Sequence, residues 1–106
     1  MEESLQFEWD DKKNKVNVSA HGISFDAAKY VWSDPFRLIR YDYVHSDSED
    51  RYQILGKVGK VLFVVFTENK ENNSIIRIIS ARVATQTERK AYYGKDTKCS
   101  KNWRPA

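Results

Sequence analysis

The chain has 106 residues, a length typical of one domain, and its 41% hydrophobic content with 3 Trp, 6 Tyr and 5 Phe is enough to build a core. No run approaches about 20 uninterrupted apolar residues, so the sequence predicts no membrane span. The acidic start, MEESLQFEWDD, lacks the apolar core of a secretion signal, and we therefore expect a cytoplasmic protein. The single cysteine, Cys99, excludes an internal disulfide and a cysteine-based metal cluster.

The net charge of +3 conceals an uneven distribution of charge along the chain. Residues 1–50 carry 11 acidic and 6 basic side chains, a balance of −5, whereas residues 51–106 carry 4 acidic and 12 basic side chains, a balance of +8. A basic half of this kind suits a polyanion such as nucleic acid, or an acidic protein partner. The alternative is a set of ordinary solvated lysines without a ligand.

The N-terminal third predicts a short strand followed by two helices. Residues 5–9, LQFEW, fit the strand. Residues 10–22, DDKKNKVNVSAHG, fit a helix that an aspartate caps and that Gly22 ends in the left-handed conformation. Residues 24–34 fit a second helix, with Ser24 as its cap and an apolar stripe at helical spacing.

After Pro35 the hydrophobic period changes from that of a helix to that of strands. The predicted strands are residues 36–43, 51–58, 61–67 and 75–81. The last two are apolar on both faces, which indicates central positions in a sheet. Their connections are short, which favours antiparallel hairpins.

A third helix has a clear N-terminal pattern. Thr85 can cap it, and Glu88 three residues later completes a capping box, while Gly94 is placed to end it. The basic tail, residues 95–106, predicts little order unless Trp103 docks onto the domain.

Together these elements give the order β–α–α–β–β–β–β–α within a single domain over residues 1–94. This is an α+β fold, a small antiparallel meander with N-terminal helices and a C-terminal helix. Three short helices can cover one face of the sheet well. We expect the other face to stay partly exposed and to mark a partner site.

Two arginines in or next to the last predicted strand need an explanation, because removing a guanidinium from water is costly unless it is paired. Strict alternation directs Arg77 to the same face as Ile79 and Ala81, and Arg82 lies at the end of the strand. A guanidinium can bind phosphate through two hydrogen bonds and stabilise a phosphorane as charge builds on its oxygens. The alternative for Arg77 is a salt bridge to Glu68 or another acid across the hairpin.

Four further side chains are candidates for chemistry or binding. His45, in a polar loop, can act as a general acid or base, or it is an exposed histidine without a role. Glu68 is a possible general base or simply the first residue of a loop. Trp9 and Tyr92 can stack on bases or pack in the core. His21 lies 24 residues from His45, which is not a metal-ligand spacing.

The sequence contains no glycine-rich phosphate loop, no nucleophile elbow and no zinc motif. The chemistry that remains needs neither a metal nor a cofactor, only positioned acids, bases and arginines. RNA cleavage by its own 2′-hydroxyl fits this description, because the substrate supplies the nucleophile.

Several segments, spread over about residues 7–93, resemble one family of bacterial proteins. They are FEWD, HGISF, the Asp34–Pro35 pair, HSDSEDRYQILG, VLFVVFTE and RIISARVATQTERKAYY. The sequence is similar in these segments to the BrnT family of type II toxins. The RIISAR block followed by the pattern ATxxER is the most specific part of the resemblance.

The resemblance implies a RelE-like fold and an endoribonuclease that inhibits translation by cutting RNA. It implies neutralisation by a BrnA-like antitoxin with a ribbon-helix-helix domain, and contact with operator DNA only through that antitoxin. The assignment of individual residues is our interpretation. Catalytic candidates are Arg82, Arg77, His45 and Glu68, and RNA-contacting candidates are Trp9, Lys70, Arg89 and Tyr92.

The sequence departs from the family pattern at two places. Ala20 stands where the family commonly has a basic residue, and Lys70 stands near a position where an arginine is common. A lysine supplies a point charge without the paired bonds of a guanidinium. A second interpretation is therefore a non-catalytic, basic co-repressor that acts within an antitoxin–DNA complex. A third is a plain RNA-binding domain.

Overall fold

The structure is a computed structural model that describes residues 4–94 and 102–106. Its helices and strands are, in chain order, β1 (Gln6–Glu8), α1 (Asp11–His21), α2 (Phe25–Ala28), β2 (Leu38–Tyr41), β3 (Tyr52–Val58), β4 (Lys60–Glu68), β5 (Ile75–Val83), α3 (Gln86–Tyr92) and β6 (Arg104–Pro105). The six strands form one sheet with the order β1–β5–β4–β3–β2–β6. Within the described residues, no helix has both the length and the apolar character needed to cross a bilayer.

The α+β fold predicted from the sequence is confirmed, since β2 to β5 form an antiparallel meander between the N-terminal helices and α3. The two outer strands differ from the prediction. β1 pairs with β5 in parallel, and β6, which was not predicted, pairs with β2. The second predicted helix is one α-helical turn followed by a 3₁₀ helix, Lys29–Ser33, and Asp34 then turns the chain by accepting a hydrogen bond from the Phe36 amide (2.9 Å).

Helix α1 begins and ends as the sequence predicts. The Asp10 carboxylate accepts hydrogen bonds from the amides of Lys12 (2.8 Å) and Lys13 (3.1 Å), and Gly22 has a φ of 71° at the C-terminal end. Most of the helix surface is exposed, and Asn17 is its buried residue. An apolar stripe alone therefore does not explain how α1 is held against the sheet.

Asn17 attaches α1 to β5 through hydrogen bonds with the backbone. Its amide nitrogen donates to the Ala81 carbonyl (2.8 Å) and to the Ile23 carbonyl (2.8 Å), while its amide oxygen accepts from the Ala81 N–H (3.1 Å). β1 pairs with β5 at residues 75–77, and no strand of the described residues continues this pairing along the later part of β5. The Asn17 side chain supplies the missing donor and acceptor there.

One face of the sheet, which we call the covered face, packs against α1, α2 and the 3₁₀ helix. Its buried side chains are Phe25, Ala28, Val31, Ile54, Leu62, Val64, Phe66, Ile76, Ile78 and Ala81. The 3₁₀ helix approaches β3 so closely that a Cβ added at Gly56 would lie 2.6 Å from the Val31 Cβ. Glycine at this position therefore permits the close packing of helix on sheet.

Among the described residues, those that cover the opposite face lie at one end of it. There α3 and Trp103 pack over a second cluster of Leu55, Val61, Phe63, Ala84 and Ala91. We call the remainder the open face and define it by the partly exposed residues Arg40, Gln53, Val65, Ser80 and Arg82. The expected partial exposure of one face is confirmed, but this surface is mainly polar. Large exposed aromatic side chains lie elsewhere, at Tyr30, Phe36, Tyr43 and Tyr93.

A β-bulge in β5 changes which residues share a face. Phe66 is opposite Ile78 but Val65 is opposite Ser80, so Ile79 is an extra residue on β5. The prediction that Arg77, Ile79 and Ala81 share a face is therefore wrong, because strict alternation ignores the extra residue. Ala81 turns to the covered face, and Arg82 turns to the same side as Arg77.

The end of the chain returns to the sheet. Residues 95–101, part of the tail expected to be poorly ordered, lie outside the described residues. β6 pairs with β2, and the Trp103 ring docks edge-on against Phe63 at 6.5 Å between ring centroids. The division into a domain over 1–94 and a separate tail stays a prediction.

We predict that Asn17→Ala lowers the free energy of unfolding by about 3 kcal/mol, because buried backbone groups of Ala81 lose their partners. Asn14→Ala is the matched control on the same helix, since it removes one bond, from the Phe25 amide to Asn14 Oδ1 (2.8 Å), and is expected to cost about 1 kcal/mol. Urea denaturation measures both. Equal losses in the two variants would contradict an anchoring role for Asn17.

Candidate functional site

The open face presents two rows of side chains across four strands. Arg40, Gln53, Val65 and Ser80 are neighbours in one row, and Leu38, Leu55, Phe63 and Arg82 are neighbours in the next. Three strand spacings of about 4.8 Å separate β2 from β5, so Arg40 and Arg82 lie at opposite sides of the face. Between them lies a floor of small or uncharged side chains.

Arg82 is held by Glu88 of α3. Its Nη1 and Nη2 donate to the two carboxylate oxygens at 2.7 and 3.0 Å, and its guanidinium lies 4.0 Å from the Phe63 ring centroid. Burial alone would raise the pKa of Glu88, but the hydrogen bonds from Arg82 and Thr85 outweigh it and lower the pKa below its ordinary value. The Arg82 side chain remains 34% exposed, against 12% for Glu88. Arg82 is thus oriented and partly neutralised, yet still accessible.

Arg77, near the start of β5, is paired more weakly than Arg82. Its Nη1 lies 3.1 Å from Glu8 Oε2, and both side chains are nearly half exposed. The salt-bridge partner of Arg77 is therefore Glu8 on the parallel strand β1, and not Glu68. Glu68 and Lys70 instead line a shallow pocket together with Arg77 at the end of the sheet.

His45 lies in the loop between β2 and β3 and contacts a buried carboxylate. The His45 Nδ1 is 3.1 Å from Asp42 Oδ2, and Asp42 Oδ1 accepts the amides of Val44 and His45 at 3.2 Å. Burial would raise the pKa of Asp42, but hydrogen bonds from Gln53 and His45 lower it. Asp42 is 3% exposed and His45 is 65% exposed, so a fixed acceptor orients an accessible ring.

Sequence analysis did not identify Asp42 as a functional candidate. Its position three residues before His45 is a recognisable spacing, but the loop geometry that brings the two side chains together has no sequence pattern of its own.

The other RNA-contacting candidates have structural partners. Trp9 packs against Phe25 on the covered face, with 6.2 Å between ring centroids, and so lies on the side opposite the arginines. The Tyr92 hydroxyl donates to Asp34 Oδ2 at 2.5 Å, and burial together with this bond raises the pKa of Tyr92. Arg89 donates through Nη1 to the Ala84 carbonyl at 2.9 Å. Trp9, Tyr92 and Arg89 therefore all lie outside the row of strand residues that contains Arg40.

Arg40 is a component of the face that sequence analysis did not select. Its Nε donates to Gln53 Oε1 at 2.7 Å, and its guanidinium lies 4.1 Å from the Trp103 ring centroid. Burial lowers the pKa of Arg40, while the charges of Glu88 and Asp42 act in the opposite direction. Alternation along β2 could have placed Arg40 beside Leu38 on this face, but the contact with Trp103 depends on a distant part of the chain.

The described residues offer no group of three or more His, Cys, Asp or Glu side chains that could hold a metal ion. The arrangement therefore consists of arginines, one oriented histidine and scattered carboxylates. Such groups can bind phosphate, transfer protons and stabilise a developing negative charge.

Comparison with known proteins relates this arrangement to a family. The fold is similar to the 1.1 Å crystal structure of the Brucella abortus ribonuclease toxin BrnT, with a TM-score of 0.56 and 21% sequence identity, covering 78% of this chain and 100% of that chain. No curated protein sequence matches the chain significantly. Residues 9–88 match the family model described as the ribonuclease toxin, BrnT, of type II toxin–antitoxin systems. That match spans most of the chain, and the protein belongs to the BrnT family of ribonuclease toxins.

Proposed function

We propose that this protein is a metal-independent endoribonuclease that inhibits translation by cutting RNA on the open face of its sheet. Membership of a ribonuclease toxin family supports the reaction class. The main support for placing the site on the open face is the β-bulge at Ile79, because it turns Arg77 and Arg82 to the same side of β5. A strand without the bulge would direct these two cations to opposite faces.

The proposed reaction uses the 2′-hydroxyl of the substrate. A base removes the proton, the 2′-oxygen attacks the adjacent phosphorus, and the bond to the 5′-oxygen breaks as an acid protonates that oxygen. The products are a 2′,3′-cyclic phosphate and a 5′-hydroxyl, so no water molecule is consumed. The protein must supply proton transfer and stabilise the charge on the phosphorane oxygens.

We assign the stabilising role mainly to Arg82 and secondarily to Arg77. His45 is assigned to proton transfer, since Asp42 orients its ring and leaves it accessible. Glu68 is the second proton-transfer candidate, because it shares a pocket with Arg77. Lys70 lines the same pocket and is assigned to RNA binding. Arg89 and Tyr92 are assigned to RNA binding with weaker support from their positions. Trp9 packs on the covered face, so its contact with RNA stays a prediction that its position does not support.

The type II family implies an antitoxin partner. We propose that its antitoxin is a BrnA-like ribbon-helix-helix protein that neutralises the toxin. The antitoxin, and not the toxin, would contact operator DNA in the complex. A cytoplasmic location follows from this proposal, since both RNA targets and the operator are there.

A second candidate function is a non-catalytic co-repressor within the antitoxin–DNA complex. The observation that favours it is the pairing of both arginines with carboxylates, Arg77 with Glu8 and Arg82 with Glu88. Expression of the chain without an antitoxin separates the two functions. Growth arrest with RNA cleavage supports the enzyme, and harmless expression of folded protein supports the co-repressor.

We predict that Arg82→Ala lowers the RNA cleavage rate by about 10²-fold or more, the scale for loss of one donor that stabilises a transition state. Arg82→Lys should recover part of the rate, because a lysine cannot make the paired bonds of a guanidinium. Cleavage of a labelled RNA and thermal melting are measured on each variant. The melts are needed because Arg82→Ala also leaves the Glu88 carboxylate without two of its donors.

Glu88→Gln is the matched control for this test. It removes the same salt bridge but keeps the guanidinium, and glutamine can retain the capping box with Thr85. If Arg82 acts on the substrate, Glu88→Gln still cleaves RNA at a rate near that of the parent. If Arg82→Ala and Glu88→Gln lose activity equally, and the loss follows the decrease in melting temperature of each variant, the pair is structural.

We also predict that cleavage persists in excess EDTA, because the proposed chemistry uses only side chains and the 2′-hydroxyl. The measurement is the cleavage rate before and after chelation, followed by addition of single divalent ions. Loss of activity that one such ion restores would refute metal independence.

A further inference from the structure

We propose that Arg40 is a preformed receptor for a backbone phosphate of RNA, and that Trp103 positions it. This inference rests on the proposed function and adds a binding residue to the same site. It concerns a side chain on β2, at the side of the open face away from Arg77 and Arg82.

Arg40 differs from the other two arginines in its partners. Arg82 and Arg77 each lie against a carboxylate, whereas no carboxylate of the described residues lies within 4.0 Å of Arg40. Its Nη1 and Nη2 donate to nothing in the described part of the chain, since its one side-chain bond runs from Nε to Gln53. Within the described residues, the edge of the guanidinium that can bind two phosphate oxygens therefore has no other partner.

Two contacts fix the orientation of this side chain. The bond to Gln53 Oε1 at 2.7 Å holds Nε, and the Trp103 ring, 4.1 Å from the guanidinium, packs against the planar group. Trp103 in turn packs against Phe63. A guanidinium held in this way loses little freedom when it binds a phosphate, which favours affinity.

The electrostatics also suit an anion. Asp42 and Glu88 act on Arg40 through their charges but do not pair with it, and burial opposes its charge. A partly buried cation without a direct counter-ion is stabilised when an anionic ligand takes that place. A phosphodiester supplies this charge in the geometry that an arginine fork matches.

Trp103 lies beyond residues 9–88, the part of the chain that matches the family model. β6 brings it to the face by pairing Arg104 with Ile39 and Pro105 with Leu38. The C-terminal segment thus contributes to the site as a positioning element. Trp103 acts through Arg40 and need not contact RNA.

The test uses a fluorescein-labelled, single-stranded 2′-O-methyl RNA, which lacks the nucleophile and cannot be cleaved by the proposed reaction. Fluorescence anisotropy gives the dissociation constant at several salt concentrations. We expect Arg40→Gln to weaken binding about tenfold, as for loss of a hydrogen-bonded charge. The slope of log affinity against log salt should fall by about 0.7, the value for one phosphate contact on a single strand.

Arg104→Gln is the matched control. It makes the same change in net charge, but Arg104 is exposed and its register partner, Ile39, packs on the covered face. We expect it to bind RNA within about twofold of the parent, because its side chain is exposed to solvent and lies on the covered-face side of the sheet, away from RNA bound on the open face. Equal weakening by Arg40→Gln and Arg104→Gln would mean that only net charge matters and would overturn the inference.

A double-mutant cycle tests the role of Trp103. If Trp103 positions Arg40, Trp103→Leu weakens RNA binding in the parent but has little further effect in Arg40→Gln. Additive effects would overturn the positioning role, since they would mean that Trp103 contributes independently, for example by stacking on a base. Thermal melts confirm that each variant remains folded at the temperature of the assay.

The outcomes separate this inference from the proposed function. If the parent binds and cleaves RNA while Arg40→Gln does so with an unchanged affinity and salt slope, the role of Arg40 is refuted and the proposed function stands. If the parent neither binds nor cleaves RNA, both are refuted.

Discussion

The hydrogen bonds between the Asn17 side chain and the Ala81 backbone are the contact on which the candidate site depends. They take the place of a strand partner just after the bulge in β5, where β1 no longer reaches. Ala81 is thereby held against the covered face, and the next residue, Arg82, is directed to the other side. One buried amide on a mostly exposed helix thus supports the strand geometry that directs a cation to the far side of the sheet. The contact stabilises the folded state because it supplies hydrogen-bond partners to buried backbone groups, which are costly when they are left unpaired.

Local patterns in the sequence predicted much of the fold. Asp10 and Gly22 bound α1, and Thr85 with Glu88 begins α3, because capping is decided by residues within one turn of each other. The meander from β2 to β5 followed from hydrophobic runs and short connections. The bulge and the parallel pairing of β1 were not predicted, because they depend on contacts between residues far apart in the chain.

The site was predicted less completely, for the same reason. Arg77 and Arg82 attracted attention as cations in an apolar strand, but their partners, Glu8 and Glu88, are determined by the fold. Asp42 behind His45 and Trp103 beside Arg40 are likewise placed by a loop and by the return of the chain end. A single sequence indicates which residue types can handle phosphate. Which of them remain accessible depends on how the fold pairs them. Arg82 is held by Glu88, Arg77 is paired at the surface, and Arg40 has no carboxylate partner in the described part of the chain.

The two-residue strand β6 also determines how the sheet ends. Without it, β2 would expose a row of unpaired backbone groups at the sheet edge, the kind of edge on which chains aggregate. Arg104 and Pro105 occupy that edge, and proline has no N–H to offer a further strand. At the other edge, β1 is three residues long. The sheet is therefore protected against edge-to-edge polymerisation, and any protein that adds a strand next to β2 must first displace the end of the chain.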